Sequence, residues 1–360
     1  MFVFVCAECD AELTTPLSQV ALPLHAHQRY GNGLQLPVLM ETGTFAVDPE
    51  PSGPPWRSWE QIDPAEAVSR GVHGPVRGLS YGAPGAIAVA PGDIRGAVLL
   101  PDRRGGACCG LDRGDAPNMA CEACGLPVAS RIDDCSLWQV VWLAPDAVSR
   151  RRVEGADAAT LSWAELMAEG AGVPPFEPIS SWGSLFGASD RWHWSPQWVA
   201  AAGSALAHLL AASEGRPVTV PDGLTARMFQ SDLDALLPAG PPARRAVLAG
   251  PGVPAPDTDD HILLVPSHPQ TGEVWRPAAS AGGAYPVPLP FGVWLRLVFP
   301  ESQPPVPGSR LTPDDVLRDD PPTPDVHGVF RIDTEVFHHT LARLPAARGP
   351  WLREMLQHPR

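Results

Sequence analysis

The sequence predicts an α+β protein, with a β-rich part over residues 1–150 and a mixed helix and strand part over residues 151–360. Three observations lead there. Residues 1–150 carry short apolar runs bounded by Pro and Gly, the pattern of short strands and turns. Residues 195–237 change to helical spacing, opened by Ser195-Pro196 and stopped by Gly215 and Pro238. Residues 291–299 then alternate Phe291, Val293, Leu295, Leu297 and Phe299, which predicts a half-buried strand.

Along the chain, residues 2–5 form a short strand that runs into Cys6. Residues 86–89 and 97–100 are further short strands, and 137–143 (LWQVVWL) is so apolar that it reads as a buried one. Pro-rich loops such as 49–55 lie between them. Ser195 supplies an N-cap and Pro196 the first helical position, after which Trp198, Ala202, Ala205, Leu206 and Leu209 fall at helical spacing. A second helix is expected from about Asp222 to Leu237. Residues 261–265 and 273–276 flank a Pro-Gln-Thr-Gly turn and read as a hairpin. Thr334 is placed to cap a helix to about Leu344, and Pro350 to open a last one to His358. The Pro-rich segment 300–324 reads as a long surface loop. No internal repeat of fixed period is present.

Composition narrows the chemistry. The 360 residues include 40 acidic and 26 basic side chains, a formal net charge of -14, and every basic residue is Arg. Without Lys there is no Schiff-base nucleophile, no intact P-loop and no kinase strand Lys. The negative balance disfavours nucleic acid and acidic membranes. Short runs such as Arg150-Arg151-Arg152, Arg103-Arg104 and Arg244-Arg245 are the local exceptions, and they read first as solvated surface or ion pairs. The first residues lack a basic region and a long apolar run, and residues 198–212 are too short to span a bilayer. A soluble cytoplasmic protein is therefore expected, where seven cysteines point to metal binding or reactivity more than to disulfides.

Cys6-Ala7-Glu8-Cys9 and Cys121-Glu122-Ala123-Cys124 are two C-x-x-C pairs. This spacing lets two thiolates grip one ion from a tight turn, and two such turns complete a tetrahedral Zn²⁺ shell. The first pair follows a strand. The second is followed by Gly125, which suits a left-handed turn position, and by the expected strand 128–132. CAECDAEL and CEACG resemble the two knuckles of a zinc ribbon, with an insertion of 111 residues between Cys9 and Cys121. Two ligand sets compete. One is Cys6, Cys9, Cys121 and Cys124. The other joins Cys121 and Cys124 to Cys109 and either Cys108 or Cys135. A lone cysteine such as Cys135 otherwise reads as a small buried apolar residue.

Other candidates are less specific. His25-Ala26-His27 has the H-x-H spacing that places two rings on one face of a strand. With carboxylates such as Asp259 and Asp260, and with His261, His338 or His339, it defines an alternative metal-dependent hydrolase. The zinc deaminase signature fails, because no H-x-E exists and Ala120 stands where Pro is required. H-E-x-x-H, G-x-S-x-G and a strand-following G-x-G-x-x-G are absent as well. Asp133-Asp134 and Asp319-Asp320 read as caps and turn residues. Trp192, Trp194 and Trp198 around His193 form either an aromatic platform or part of the core. The expected protein binds structural zinc and acts by binding or scaffolding protein partners. A metal-dependent hydrolase and a nucleic-acid-binding ribbon that uses residues 150–152 are the alternatives.

Overall fold

The computed structural model describes residues 1–31, 33–103, 110–112, 117–153, 159–181, 189–254, 261–277, 284–300 and 330–357. Both helices and strands are present, the latter in several separate sheets, so the α+β expectation holds. Described residues of the N-terminal part form twelve short strands and one α-helix. These are β1 (Phe2–Cys6), β2 (Ser18–Gln19), β3 (Leu34–Gln35), β4 (Thr44–Val47), β5 (Trp56–Ser58), α1 (Pro64–Ser69), β6 (Gly78–Ser80), β7 (Ile87–Val89), β8 (Ala97–Leu99), β9 (Met119–Cys121), β10 (Pro127–Ile132), β11 (Val140–Leu143) and β12 (Val148–Arg152).

A seven-stranded sheet in the order β2-β4-β7-β11-β10-β9-β8 organises this part. Its central strands are buried on both faces. Phe45, Ile87, Val89, Val141 and Leu143 face one core, while Ala46, Ala88, Val140 and Trp142 face another. Double burial is why 137–143 carries almost no polar residue. The separate ribbon β1–β12 lies against the first core, with the Phe4 ring edge-on to Phe45 at 5.0 Å.

The C-terminal part contains α2 (Trp163–Glu169), β13 (Phe176–Ser181), β14 (Ser189–Trp194), α3 (Pro196–Ser213), β15 (Val218–Thr219), α4 (Leu224–Leu236), β16 (Arg244–Leu248), β17 (His261–Ser267), β18 (Tyr285–Pro290), α5 (Phe291–Val298), α6 (Thr334–Arg343) and α7 (Pro350–Gln357). β15, β16, β17 and β18 make a parallel sheet in that order. Pro286, Pro288 and Pro290 lack the N–H that a second neighbour would need, so β18 occupies an edge. The helix expected from Ser195 is α3, and it is apolar on nearly every side because it is the centre of the main core. Trp198 is fully buried there and donates its indole N–H to the Val173 carbonyl at 3.0 Å.

Three sequence expectations change. Residues 291–299 are not a strand but α5. Trp294, out of phase with the alternation, is completely buried as well and donates its indole N–H to Ala249 O at 3.0 Å. A short segment that is apolar all round carries no usable period. The expected hairpin over 261–276 keeps its turn, with the His268 N–H on Glu273 O at 2.8 Å, but β17 instead pairs in parallel with β16 and β18. At α6 the cap is Asp333, whose Oδ1 accepts the Val336 N–H at 2.9 Å, and Thr334 is the first helical residue. The Pro-rich stretch from 301 onward lies outside the described residues.

Gly203 sets how closely α3 and α6 approach. A Cβ there would sit 2.4 Å from the Asp333 carbonyl oxygen and 3.2 Å from the Phe337 nitrogen, both backbone atoms. Gly203→Ala is expected to cost about 1–3 kcal/mol by overpacking, despite the better helix propensity of Ala. Urea unfolding measures this, and a variant as stable as the wild type would contradict the close packing.

The two parts share structure. β3 pairs with β13, Gln28 donates to Pro196 O at 2.9 Å, and Tyr30 OH donates to Trp194 O at 2.7 Å. Among the described residues, no helix is long and apolar enough to cross a membrane.

Candidate metal centre

The two C-x-x-C turns meet. β1 delivers Cys6 at its end, and its pairing with β12 anchors the turn through the Ala7 N–H on Ala147 O at 3.0 Å. β9 delivers Cys121 between β8 and β10, with the Glu122 N–H on Gly96 O at 2.8 Å. The turns repeat each other residue for residue. The first Cys carbonyl accepts the N–H four residues on, from Asp10 at 3.0 Å and from Gly125 at 2.8 Å. Its own N–H goes to the carbonyl five residues on, Ala11 or Leu126, each at 2.8 Å. Asp10 and Gly125 both take left-handed backbone, with φ of 63° and 80°. Glycine adopts this freely and Asp more readily than most residues.

All four sulfurs lie within 4.8 Å of one another. Two contacts cross between the turns, Cys6 to Cys124 at 3.5 Å and Cys9 to Cys121 at 3.6 Å. Tetrahedral zinc with Zn–S bonds of about 2.3 Å requires sulfur separations of about 3.8 Å. The arrangement is therefore compatible with a metal-binding module, and the four thiols are not paired in disulfides. Cys6 and Cys121 are buried, while Cys9 and Cys124 are exposed.

The thiols differ in acidity. Burial acts to raise Cys6, but the backbone N–H groups of Cys9 and Glu8 and the neighbouring thiols outweigh it and bring it down to about 7. At Cys124 the Leu126 N–H acts to lower the value. Burial and the other three thiols overcome this and push it up to about 12. Cys9 is raised in the same way, against the Ala11 N–H, by burial and by Cys121 and Cys6. Four thiolates this close repel one another, and a cation between them removes that penalty.

The other expected site residues lie elsewhere. Cys135 is partly buried and outside the cluster, and Cys108 and Cys109 fall outside the described residues. His25-Ala26-His27 lies in a turn, not on a strand. The His25 ring packs on Trp138 at 4.4 Å, whereas His27 stacks on Trp142 at 5.2 Å and bonds Asp48 at 2.8 Å. Among the described residues, the four cysteines are the one group that meets the geometry of a metal site. Asp259, Asp260, Asp319 and Asp320 lie outside the described residues, as does Arg104.

Asp133 pairs with Arg131 at 3.2 Å, and Asp134 accepts the Cys135 N–H, so both serve local structure. In β12, Arg150 lies over the Phe2 ring and reaches Gln19, and Arg151 pairs with Asp10 beside the first knuckle. Arg244 pairs with Glu214 at 3.0 Å. Trp194 is buried against Phe176 and Phe330. The chain matches no protein-family model, no curated protein and no solved structure.

Proposed function

We propose that Cys6, Cys9, Cys121 and Cys124 hold one Zn²⁺ as a structural, zinc-ribbon-like centre in a protein that binds or scaffolds protein partners. The observation that carries this reading is the pair of matching turns with four converging sulfurs. Thiolate-only tetrahedral shells favour zinc among the hard and borderline divalent ions. Four protein ligands leave no open position for water or substrate, so the ion supplies folding free energy and not chemistry. It ties β1, at the start of the chain, to the β9–β10 hairpin. The acidic balance of the chain favours a protein partner over nucleic acid.

Elemental analysis of the purified chain tests the metal assignment. One zinc per chain is expected in the wild type and in Cys109→Ser, and none in Cys6→Ser. Zinc retained by Cys6→Ser would overturn the ligand set. Native cross-linking in the source cell tests the scaffolding role, where a stoichiometric protein partner is expected.

A further inference from the structure

The ribbon of β1 and β12 has one open side. β1 is paired along both edges: with β12, and with residues 11–17 through the Leu13 N–H on Phe4 O at 2.8 Å and the Leu17 N–H on Phe2 O at 2.7 Å. β12 is the outer strand, and among the described residues no strand pairs with its far edge. The phase of that edge follows from the inner bonds. The Ala7 N–H on Ala147 O at 3.0 Å and the Val153 N–H on Met1 O at 3.1 Å turn residues 147, 149, 151 and 153 toward β1. Val148, Arg150 and Arg152 alternate with these and direct their N–H and C=O groups outward.

This edge is strongly basic. Residues 149–152 are all exposed, and three of them are Arg. Arg151 pairs with Asp10. Arg150 is held by neutral groups, the Phe2 ring at 4.4 Å and Gln19 Oε1 at 3.1 Å, so its charge is positioned without being neutralised by them. Charged side chains on an edge keep ordinary strands from adding to it. The same charges favour a strand that carries acidic side chains, so one device rejects most partners and selects a few.

We propose that β12 accepts an extended acidic segment of a partner protein as a further strand of the ribbon. This rests on the protein-binding role proposed above and names the partner's chemistry. In an antiparallel addition, partner residues opposite Val148, Arg150 and Arg152 form hydrogen-bonded pairs, about 5.5 Å apart between Cα atoms, and share a face with the residues they oppose. An apolar residue therefore belongs opposite Val148, and Glu or Asp opposite Arg150 and Arg152, two positions apart. Nucleic acid fits this edge poorly. The outward carbonyls repel phosphate oxygens where the N–H groups attract them. The net charge of -14 also acts against a long polyanion more than against a segment with two acidic residues.

The test uses the full chain and dye-labelled peptides, read by fluorescence polarisation at about 0.15 M salt. The probes are Thr-Glu-Thr-Glu-Thr-Val-Thr, which has the antiparallel register, and its reverse, which has the parallel one. At least one is expected to bind below about 1 mM. The same peptide with Gln for both Glu should bind about tenfold more weakly. So should one with both Glu nitrogens methylated, which keeps the charge and loses the strand bonds. Arg150→Gln combined with Arg152→Gln should remove the preference for Glu over Gln, and Arg150→Lys combined with Arg152→Lys should keep it. Both positions are exposed, so these variants are expected to melt as the wild type does. No binding of either peptide up to about 10 mM would overturn the proposal. So would equal binding of the methylated peptide, a thymidine oligonucleotide of the same length bound as tightly as the Glu peptide, or a preference for Glu that survives in the Gln variant. A partner cross-linked equally well to the Gln variant would leave the protein-binding role standing and remove β12 as its site.

Discussion

Cys121→Ser is expected to empty the metal centre and unfold the two turns that carry it. Serine keeps nearly the same shape but is a poor ligand for zinc, so three thiolates and an open position remain. Structural zinc contributes about 10–16 kcal/mol of apparent binding free energy in small zinc-finger peptides, and a whole domain is stable by about 5–15 kcal/mol. Losing even part of the former therefore removes much of the latter. The consequence should reach beyond the turns, because Cys6 and Cys121 belong to the same core as Phe4, Leu13, Phe45, Val89 and Val141. Circular dichroism melting and metal content, measured together, check the result. A strong chelator added to the wild type should give the same melting curve, which separates loss of metal from a packing fault at the buried serine. Cys135→Ser, outside the cluster, should keep one zinc per chain. An unchanged melt in Cys121→Ser would end the structural-zinc reading.

The turns themselves were legible because their geometry is local. C-x-x-C spacing and Gly125 describe the second knuckle completely. The first uses Asp10 at the equivalent left-handed position, a residue that also has many other uses, so its role was not visible. What brought the knuckles together lies outside them, in the pairing of β1 with β12 and of β9 with β8 and β10. The pairing of β1 with β12, across more than a hundred residues, leaves no mark in spacing. The helix α2 could have been found, since Ser162 and Glu165 form a capping box directly before it. Residues 291–299 misled for a physical reason: burial on all sides erases the difference between a period of 2 and one of 3.6. His27 stood out by its H-x-H spacing, but its actual partner Asp48 stands 21 residues away, and Glu50 and Arg343 stand 293 apart, so neither pairing leaves a motif.

Acidification below pH 6.5 is expected to destabilise the protein steeply, and His25 should account for about one proton of that dependence. Its ring is 8% exposed and lies against Trp138, and burial holds it down to about 3. The folded value lies below the ordinary 6.5, so the unfolded chain takes up the proton first as pH falls. Stability is complete above about 6.5 and is lost progressively toward 3. One unit of pH in that window is worth about 1.4 kcal/mol, so the loss reaches about 2 kcal/mol at pH 5. His208, lowered to about 4 by burial, acts in the same direction. Glu50 acts in a lower window. Burial would raise it, but His339 and Arg343 bring it down to about 2, so what it contributes is present above about 4.5 and lost only below. If the four cysteines hold a metal, as proposed, protonation of their thiolates adds a further acid dependence. These contributions are shared by wild type and His25→Phe, which keeps an aromatic ring against Trp138 and removes the titrating group. Urea unfolding of both at pH 7 and pH 5 therefore isolates His25. The variant should lose about 2 kcal/mol less than the wild type between the two values. Equal losses would mean that His25 is charged in the folded protein and that its contact with Trp138 opens to water.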